Sequence, residues 1–564
     1  MRNVKNLFGM AVMATALVAC SSNDDLASNG NEGNQTGEAY ASFRINLPTT
    51  SGTRADDPKP GTPSFDEGTA AEYEVKNGTI LIFDANTDKF VTSADLGTMN
   101  PWTDVKTNGV TTSAIATVKL ENVTVGGNYK ALVLLNNNVD ATTKKVKLPT
   151  DAETYAAWSK DASKVDAEKY VSTDGIFMAN APKYESATED PTTLVKINHV
   201  CASPEEAQAK AATVVYVERG LAKVTMENFA TEGYKVADGT YKDATVKIEN
   251  WKLDVTNKST FPVHQTGTLN TSWGDIWNTP RFYDGTNTVF KRVYWGTDPN
   301  YSGVANLTLA NCKDAFKMIT NAQVDGVAGT PQYCLENTFD LANMMQGQTT
   351  RVVFKAKFTP KGFTAAETFY KIGNNTAIWK KADLEKQILA VATTAMNLTS
   401  AETADYKVDL DAAANNISGE AGLHMITADN IVYTGSGSSK VPAALAAINT
   451  KLGLSEENPT THKEKVGIST YLNGEAYYIA RIKHFNALTP WNPGQAYDSN
   501  DKYLGRYGVL RNNWYSLSVN TVSGLGYPEV PEVKPTVPDD ENDQYINVEV
   551  KILDWAMRKQ VIDL

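Results

Sequence analysis

Five histidines and four cysteines set the limits of the chemistry open to this chain. His199, His264, His424, His462 and His484 show neither the HExxH nor the HxH spacing that would aim two imidazoles at one metal, so a catalytic zinc centre is not expected. Asp84, Asn86 and Asp88 alternate as in a calcium loop, but Lys89 stands where that loop needs glycine, and a hairpin turn is the expectation. Gly435-Ser436-Gly437-Ser438-Ser439-Lys440 precedes a helical stretch yet lacks the GK[ST] order of a phosphate loop, and reads as a flexible connection. No GxSxG elbow or strand-borne GxGxxG is present. Scattered carboxylates could meet as a glycosidase acid and base, but no spacing selects a pair. Neither an enzyme nor a cofactor is expected.

The N-terminus carries a more specific covalent signal. Arg2 and Lys5 precede an apolar run over residues 7–18, too short to span a bilayer and suited to the core of a signal peptide. The run ends in Leu17-Val18-Ala19-Cys20, which resembles the lipobox of bacterial lipoproteins. Small side chains there let the signal peptidase reach the backbone, and the Cys20 thiol would carry the diacylglyceryl group. Ser21-Ser22-Asn23-Asp24-Asp25 resembles a surface-export tag of outer-membrane lipoproteins. No later segment has the ~18 apolar residues of a membrane helix. Cys201, Cys312 and Cys334 remain, and an odd number leaves at least one thiol without an internal partner. Cys312 and Cys334 either pair or stay separate as small core residues, since spacing alone does not bring two Cβ atoms together.

Size and composition constrain what positions these groups. At 564 residues the chain exceeds one ordinary core, so two domains are expected. A hydrophobic content of 41% and a charged content of 21% are those of a globular protein. A net charge of -12 argues against nucleic acid as partner, because phosphate binding needs clustered Lys and Arg.

Residues 21–40 read as a polar tether. Next comes a short strand over 41–48, in which Phe43, Ile45 and Leu47 share one face and Ser42, Arg44 and Asn46 the other. A breaker-rich loop over 49–63 follows and contains Thr53-Arg54-Ala55-Asp56-Asp57. Strands are then expected at 79–83 and 89–92 as a hairpin, at 113–120, 129–135 and 214–226, with helices at 151–170 and 204–212. Beyond a boundary near residue 238, strands are expected at 245–255, 351–358, 476–483 and 513–522, and helices at 381–396 and 441–452. Many short strands between Gly, Asn and Pro turns indicate a mainly β chain of β-sandwich domains with helical insertions.

The C-terminus repeats the pattern of a separable strand. Pro528, Pro531, Pro535 and Pro538 punctuate a spacer over 528–544 that ends in acidic residues. Proline favours extended geometry and removes donors, so the spacer is expected to project, reaching roughly 50 Å at ~3.1 Å per residue. Over 545–552, Ile546, Val548, Val550 and Ile552 share one face and Asn547, Glu549 and Lys551 the other. Trp555 and a shorter strand over 560–564 close the chain. Removing the first strand would leave an apolar groove with unpaired edges, which recruit another strand. A neighbour's C-terminal strand could fill it by β-augmentation.

Several segments, in this order, resemble the type V pilus fimbrillins. They are Val217-Glu218-Arg219 with Ala222-Lys223-Val224, Tyr333-Cys334-Leu335-Glu336-Asn337-Thr338, residues 351–360, Phe369-Tyr370-Lys371-Ile372-Gly373 and Arg511-Asn512-Asn513-Trp514-Tyr515. Val548-Glu549-Val550 with Trp555 and Asp563-Leu564 is similar to the branch that forms short, Mfa-type fimbriae. The resemblance implies two transthyretin-like β-sandwich domains, at 55–238 and 239–527, behind a signal peptide (1–20) and a propeptide (21–54). It implies a major shaft subunit that is exported as an outer-membrane lipoprotein and cut by an arginine-specific protease. Assembly by donor-strand exchange would then form a cell-surface fimbrium. Carried over, Arg54-Ala55 is the scissile bond, with Arg44 as the rival inside the strand. Phe43, Ile45 and Leu47 mark the strand that leaves, and residues 545–564 the strands that donate. The implied partners are identical subunits, accessory tip and anchor proteins and the protease. Two alternatives stand beside this reading: an accessory tip or anchor subunit, and a lipid-anchored glycan-binding protein using Trp273, Trp277 and Trp295.

Overall fold

Alternating side chains and turn residues give a chain dominated by β-structure. The structure is a computed structural model that describes residues 38–48, 68–97, 103–107, 110–172, 175–183, 191–266, 293, 295–373, 375–411, 423–455, 466–484, 503–540 and 546–554. The first strands are β1 (Ala39–Pro48), β2 (Gly78–Asp84), β3 (Phe90–Asp95), β4 (Thr103–Thr107), β5 (Val110–Leu120), β6 (Tyr129–Leu135), β7 (Met178–Asn180), β8 (Val195–Lys196) and β9 (Thr213–Arg219). They form one nine-stranded sheet in the order β3-β2-β6-β7-β9-β1-β5-β4, with β8 on β6. The sheet curls until β3 lies against β5, so it is a nearly closed roll.

The roll is buried on both faces along β2 and β6. Ile80, Ile82, Val133 and Leu135 point to an inner core, whereas Leu81, Phe83, Leu132 and Leu134 join Trp158, Tyr170 and Phe177 outside it. A strand buried on both faces reads as a continuous apolar run, which is how 129–135 appears in the sequence. The helix expected over 151–170 is instead three short turns, Tyr155–Ser159, Ala162–Lys164 and Ala167–Tyr170. Thr154, Asp161 and Asp166 each accept a backbone N–H at the start of a turn, so the helix is restarted three times.

The strand expected over 214–226 is broken after Arg219. Its second half, β10 (Ala222–Met226), enters a different sheet. At Gly220, between the halves, a Cβ would collide with the Tyr170 hydroxyl, so the close packing of that ring requires glycine. The remaining strands are β11 (Tyr234–Lys235), β12 (Thr245–Asp254), β13 (Thr256–Asn257), β14 (Phe316–Lys317), β15 (Gln332–Cys334), β16 (Arg351–Thr359) and β17 (Phe369–Ile372), then β18 (Tyr406–Val408), β19 (Leu423–His424), β20 (Ile431–Tyr433), β21 (Ile468–Tyr471), β22 (Glu475–Arg481), β23 (Asn513–Val522) and β24 (Ile546–Asp554).

Two four-stranded sheets, β15-β10-β23-β24 and β11-β12-β16-β22, make a sandwich. Val224, Tyr515 and Leu517 of one meet Trp251, Phe354 and Tyr478 of the other. Divided by sheet membership, the chain changes body between Arg219 and Ala222; residue 238 falls between β11 and β12, inside the second body.

An insertion leaves this sandwich between β17 and β21, which pair with each other from Phe369↔Tyr471 to Ile372↔Ile468. The insertion has its own core. Leu384, Ile388 and Ala392 of the helix Lys381–Met396 pack with Ala444 and Ile448 of the helix Val441–Lys451. Among the described residues, no helix is long and apolar enough to cross a membrane.

Candidate functional site

Strand β1, which holds the residues expected to leave, lies inside the roll, not at its rim. It pairs antiparallel with β5 from Ala39↔Leu120 to Pro48↔Val110, and parallel with β9 from Phe43↔Thr213 to Asn46↔Tyr216. Ala39, Ala41, Phe43, Ile45 and Leu47 all enter the inner core, Phe43 and Ile45 with no exposure at all. At ~1.5–3 kcal/mol per large side chain, Phe43, Ile45 and Leu47 contribute about 5–9 kcal/mol before ordering costs.

The opposite face is less simple than alternation suggests. Ser42 and Asn46 are also buried, through a Ser42–Thr117 hydroxyl pair at 2.7 Å and a bond from Ser113 Oγ to Asn46 Oδ1 at 2.7 Å. Arg44 is exposed between Ile115 and Val214, which are 58% and 39% exposed. Its backbone is paired on both sides. A protease that binds extended substrate would have to take the sheet apart to reach it.

A second feature lies on the first helix after β1 and carries no motif. Glu72, on the short helix Ala70–Tyr73, is buried where the roll meets the sandwich. Lys223 Nζ of β10 is 2.8 Å from its carboxylate, and the Tyr333 hydroxyl of β15 donates to the same group. Arg219 Nε donates to the Glu72 carbonyl at 2.8 Å. Lys223 also lies 3.6 Å from the centre of the Trp514 ring. Burial works against the Glu72 carboxylate, but the hydrogen bonds from Lys223 and Tyr333 outweigh it and hold the pKa below its ordinary value. Beside this pair, His264 Nδ1 lies 2.7 Å from Glu218, and Arg511 Nε lies 3.4 Å from Glu336. All four side chains are buried. Burial disfavours the His264 imidazolium, yet the charges of Glu218 and Glu336 raise its pKa.

The C-terminal segment departs from expectation. The spacer was expected to project, but as far as Asp540 it lies along the sandwich as a strap. Tyr527 and Tyr477 exchange backbone bonds at 2.7 Å, and Val530 N–H donates to Asn321. Arg351, paired with Asp254 at 2.8 Å, donates to the Pro531 carbonyl. Val533 is buried with Val255, Cys312 and Phe316. Proline gives up its donor, but its carbonyl still accepts, and these carbonyls and side chains hold the strap down. Beyond it, β24 pairs antiparallel with β23 of its own chain, from Asn513↔Asp554 to Val522↔Ile546, and forms a sheet edge. The strand bearing Ile546, Val548, Val550 and Ile552 is therefore docked at home in this chain.

Other candidates resolve as structure. Cys312 and Cys334 are separate, unpaired thiols: Cys312 packs under the strap and Cys334 in the sandwich core. Asp84 Oδ1 accepts from the backbone of Asn86 and Thr87, closing the β2–β3 hairpin. In the Gly435–Lys440 stretch, Gly437 N–H donates to the Tyr433 hydroxyl, and the loop folds over that ring. Trp295 is fully buried and has no face for a sugar. Among the described residues, no group of His, Cys, Asp and Glu could hold a metal. Cys20, Arg54, Ala55, Trp555, Trp273, Trp277, His462 and the strand expected at 560–564 lie outside the described residues.

Residues 469–561 match the family model described as major fimbrial subunit protein type IV, fimbrillin, C-terminal. The match takes in β22, β23, the strap and β24. It assigns no branch, so the Mfa-type expectation stays open. No curated protein matches the chain. Among solved structures, a candidate cell-adhesion protein from Parabacteroides distasonis is 10% identical, with 93% of this chain and 98% of that one covered and a TM-score of 0.37. Another, from Bacteroides eggerthii, is 11% identical, covering 94% and 99% at a TM-score of 0.34. A fimbrial assembly protein from P. distasonis is 13% identical, covering 57% and 84% at 0.30. At such TM-scores these likenesses establish no shared fold. Residues 469–561, the segment that holds both β23 and its C-terminal partner, are thus similar to the C-terminal part of a major fimbrial subunit, a fimbrillin.

Proposed function

We propose that the chain is the precursor of a fimbrial shaft subunit that polymerises by donor-strand exchange and supports adhesion and biofilm formation. It is exported as an outer-membrane lipoprotein through Cys20 and cut between Arg54 and Ala55 by an arginine-specific protease. Once β1 leaves, the C-terminal strand of another copy enters the slot between β5 and β9. Accessory tip and anchor proteins complete the fimbrium.

One observation carries this reading. The only stretch upstream of the proposed cut that the structure describes is β1, and it fills the middle of the inner core with its backbone paired on both sides. Its departure would leave a long apolar slot flanked by two unsatisfied strand edges, which a single amphipathic strand satisfies. Residues 546–552 have the alternation that such a slot requires. Pulling out an inserted strand breaks two ladders together, which makes the joint durable kinetically as well as thermodynamically.

The test pairs two variants. Arg54→Ala is expected to accumulate as uncut, lipidated monomer, and a chain ending at residue 544 as cut monomer. Normal fimbriae from either variant would refute the proposal.

A further inference from the structure

The strap ends in a buried clamp. Tyr507 Oη donates to Asp540 Oδ1 at 2.7 Å, and Arg506 Nε lies 3.2 Å from Asp540 Oδ2. Asp539 is fixed in the same place. Its N–H donates to the Met344 carbonyl at 3.0 Å, and its carboxylate accepts from Thr349 Oγ1 at 2.8 Å. Asp539 and Asp540 are 1% and 4% exposed, unlike the solvated end of a projecting arm. Met345 and Pro538 form a backbone bridge beside them. A buried carboxylate held by a guanidinium and a phenol is costly to release, because removal leaves charges stranded in the core.

We propose that Asp540 is a positioning residue for assembly: Arg506 and Tyr507 keep the strap on its own subunit while the C-terminal strand is donated to a second copy of this chain. The inference rests on the donor-strand reading above and adds where the arm becomes free. From Asp540 to Ile546 an extended chain covers only about 20 Å, against roughly 50 Å for a spacer free from residue 528. The neighbour's roll must therefore come within about 20 Å of Asp540. Subunits abut, and the joint is short and defined.

The decisive experiment locks the strap. Met345→Cys with Pro538→Cys places two thiols at bridged positions, where a disulfide fits the Cα spacing of facing strand residues. Closure of the bond is verified by mass on the monomer. The oxidised protein is expected to polymerise within about twofold of the reduced one. Loss of polymer on oxidation, recovered on reduction, would show that the strap must peel away, and would overturn the proposal while leaving strand donation intact. The chain ending at residue 544 serves as the separate control: if it polymerises, strand donation itself is wrong. Asp540→Ala, which frees the arm, is expected to make strap cleavage by added protease faster by on the order of 100-fold and to broaden the axial repeat of the fimbriae. An unchanged cleavage rate with an unchanged repeat would also contradict the clamp.

Discussion

Lys223 Nζ lies 2.8 Å from the Glu72 carboxylate, and both side chains are buried at the join of roll and sandwich. This contact ties the short helix Ala70–Tyr73 to the strand where the chain changes body. Breaking a buried pair from one side strands the other charge, so Glu72→Leu or Lys223→Met alone should cost about 3–5 kcal/mol. Replacing both, as Glu72→Leu with Lys223→Met, should cost markedly less. Urea unfolding of the four proteins in a double-mutant cycle checks this, and additivity would show that the pair is not coupled.

The same seam should give stability two pH limits of opposite sign. The Glu72 pKa lies below 4.5 in the fold, so its contribution is present above 4.5 and is lost as pH falls through the folded value. The His264 pKa lies above 6.5, so its contribution is present below 6.5 and is lost as pH rises through the folded value. Urea midpoints measured against pH should show both slopes in the natural chain. Glu72→Gln should flatten the acid limb only, and His264→Gln the alkaline limb only.

Truncation in the leader should matter only while the leader is present. Phe43→Ala opens a cavity in the inner core and should destabilise the precursor by about 3–5 kcal/mol. The proposed cleavage removes residue 43, and on that reading fimbriae formed from this variant should resist heat and denaturant as the natural ones do. A weaker mature fibre would mean that the leader remains part of it.

The cysteines offer an independent check of the fold. Cys201, Cys312 and Cys334 are free and buried, so unfolding without reductant should expose all of them to alkylation. Mass spectrometry reads this directly, and a Cys312–Cys334 crosslink would contradict the packing of Cys312 beneath Val533.

Much of the architecture could be read from periodicity, and the misses share one cause. The run 129–135 and the alternation of Phe43, Ile45 and Leu47 are local signals set by which face meets a core. The break at Gly220 was invisible because it depends on Tyr170, far away in sequence. Proline spacing suggested a projecting arm, because backbone propensity is local and the groups that hold the strap, Asn321, Arg351 and Gln346, come from elsewhere. The acidic end of the spacer carries no local sign of a partner for the same reason; only the fold brings Arg506 and Tyr507 to Asp540 and Thr349 to Asp539. Glu72 lies in no motif, and nothing in its spacing announces a partner on β10.

The most direct test is a cryo-electron-microscopy map of sheared, mature fimbriae in which side chains identify the strand between β5 and β9. Donor-strand exchange requires that strand to be residues 546–552 of the adjacent subunit, with no density for residues 39–48. Finding β1 still in its slot, or the C-terminal strand still on its own β23 and no foreign strand in the roll, would contradict it.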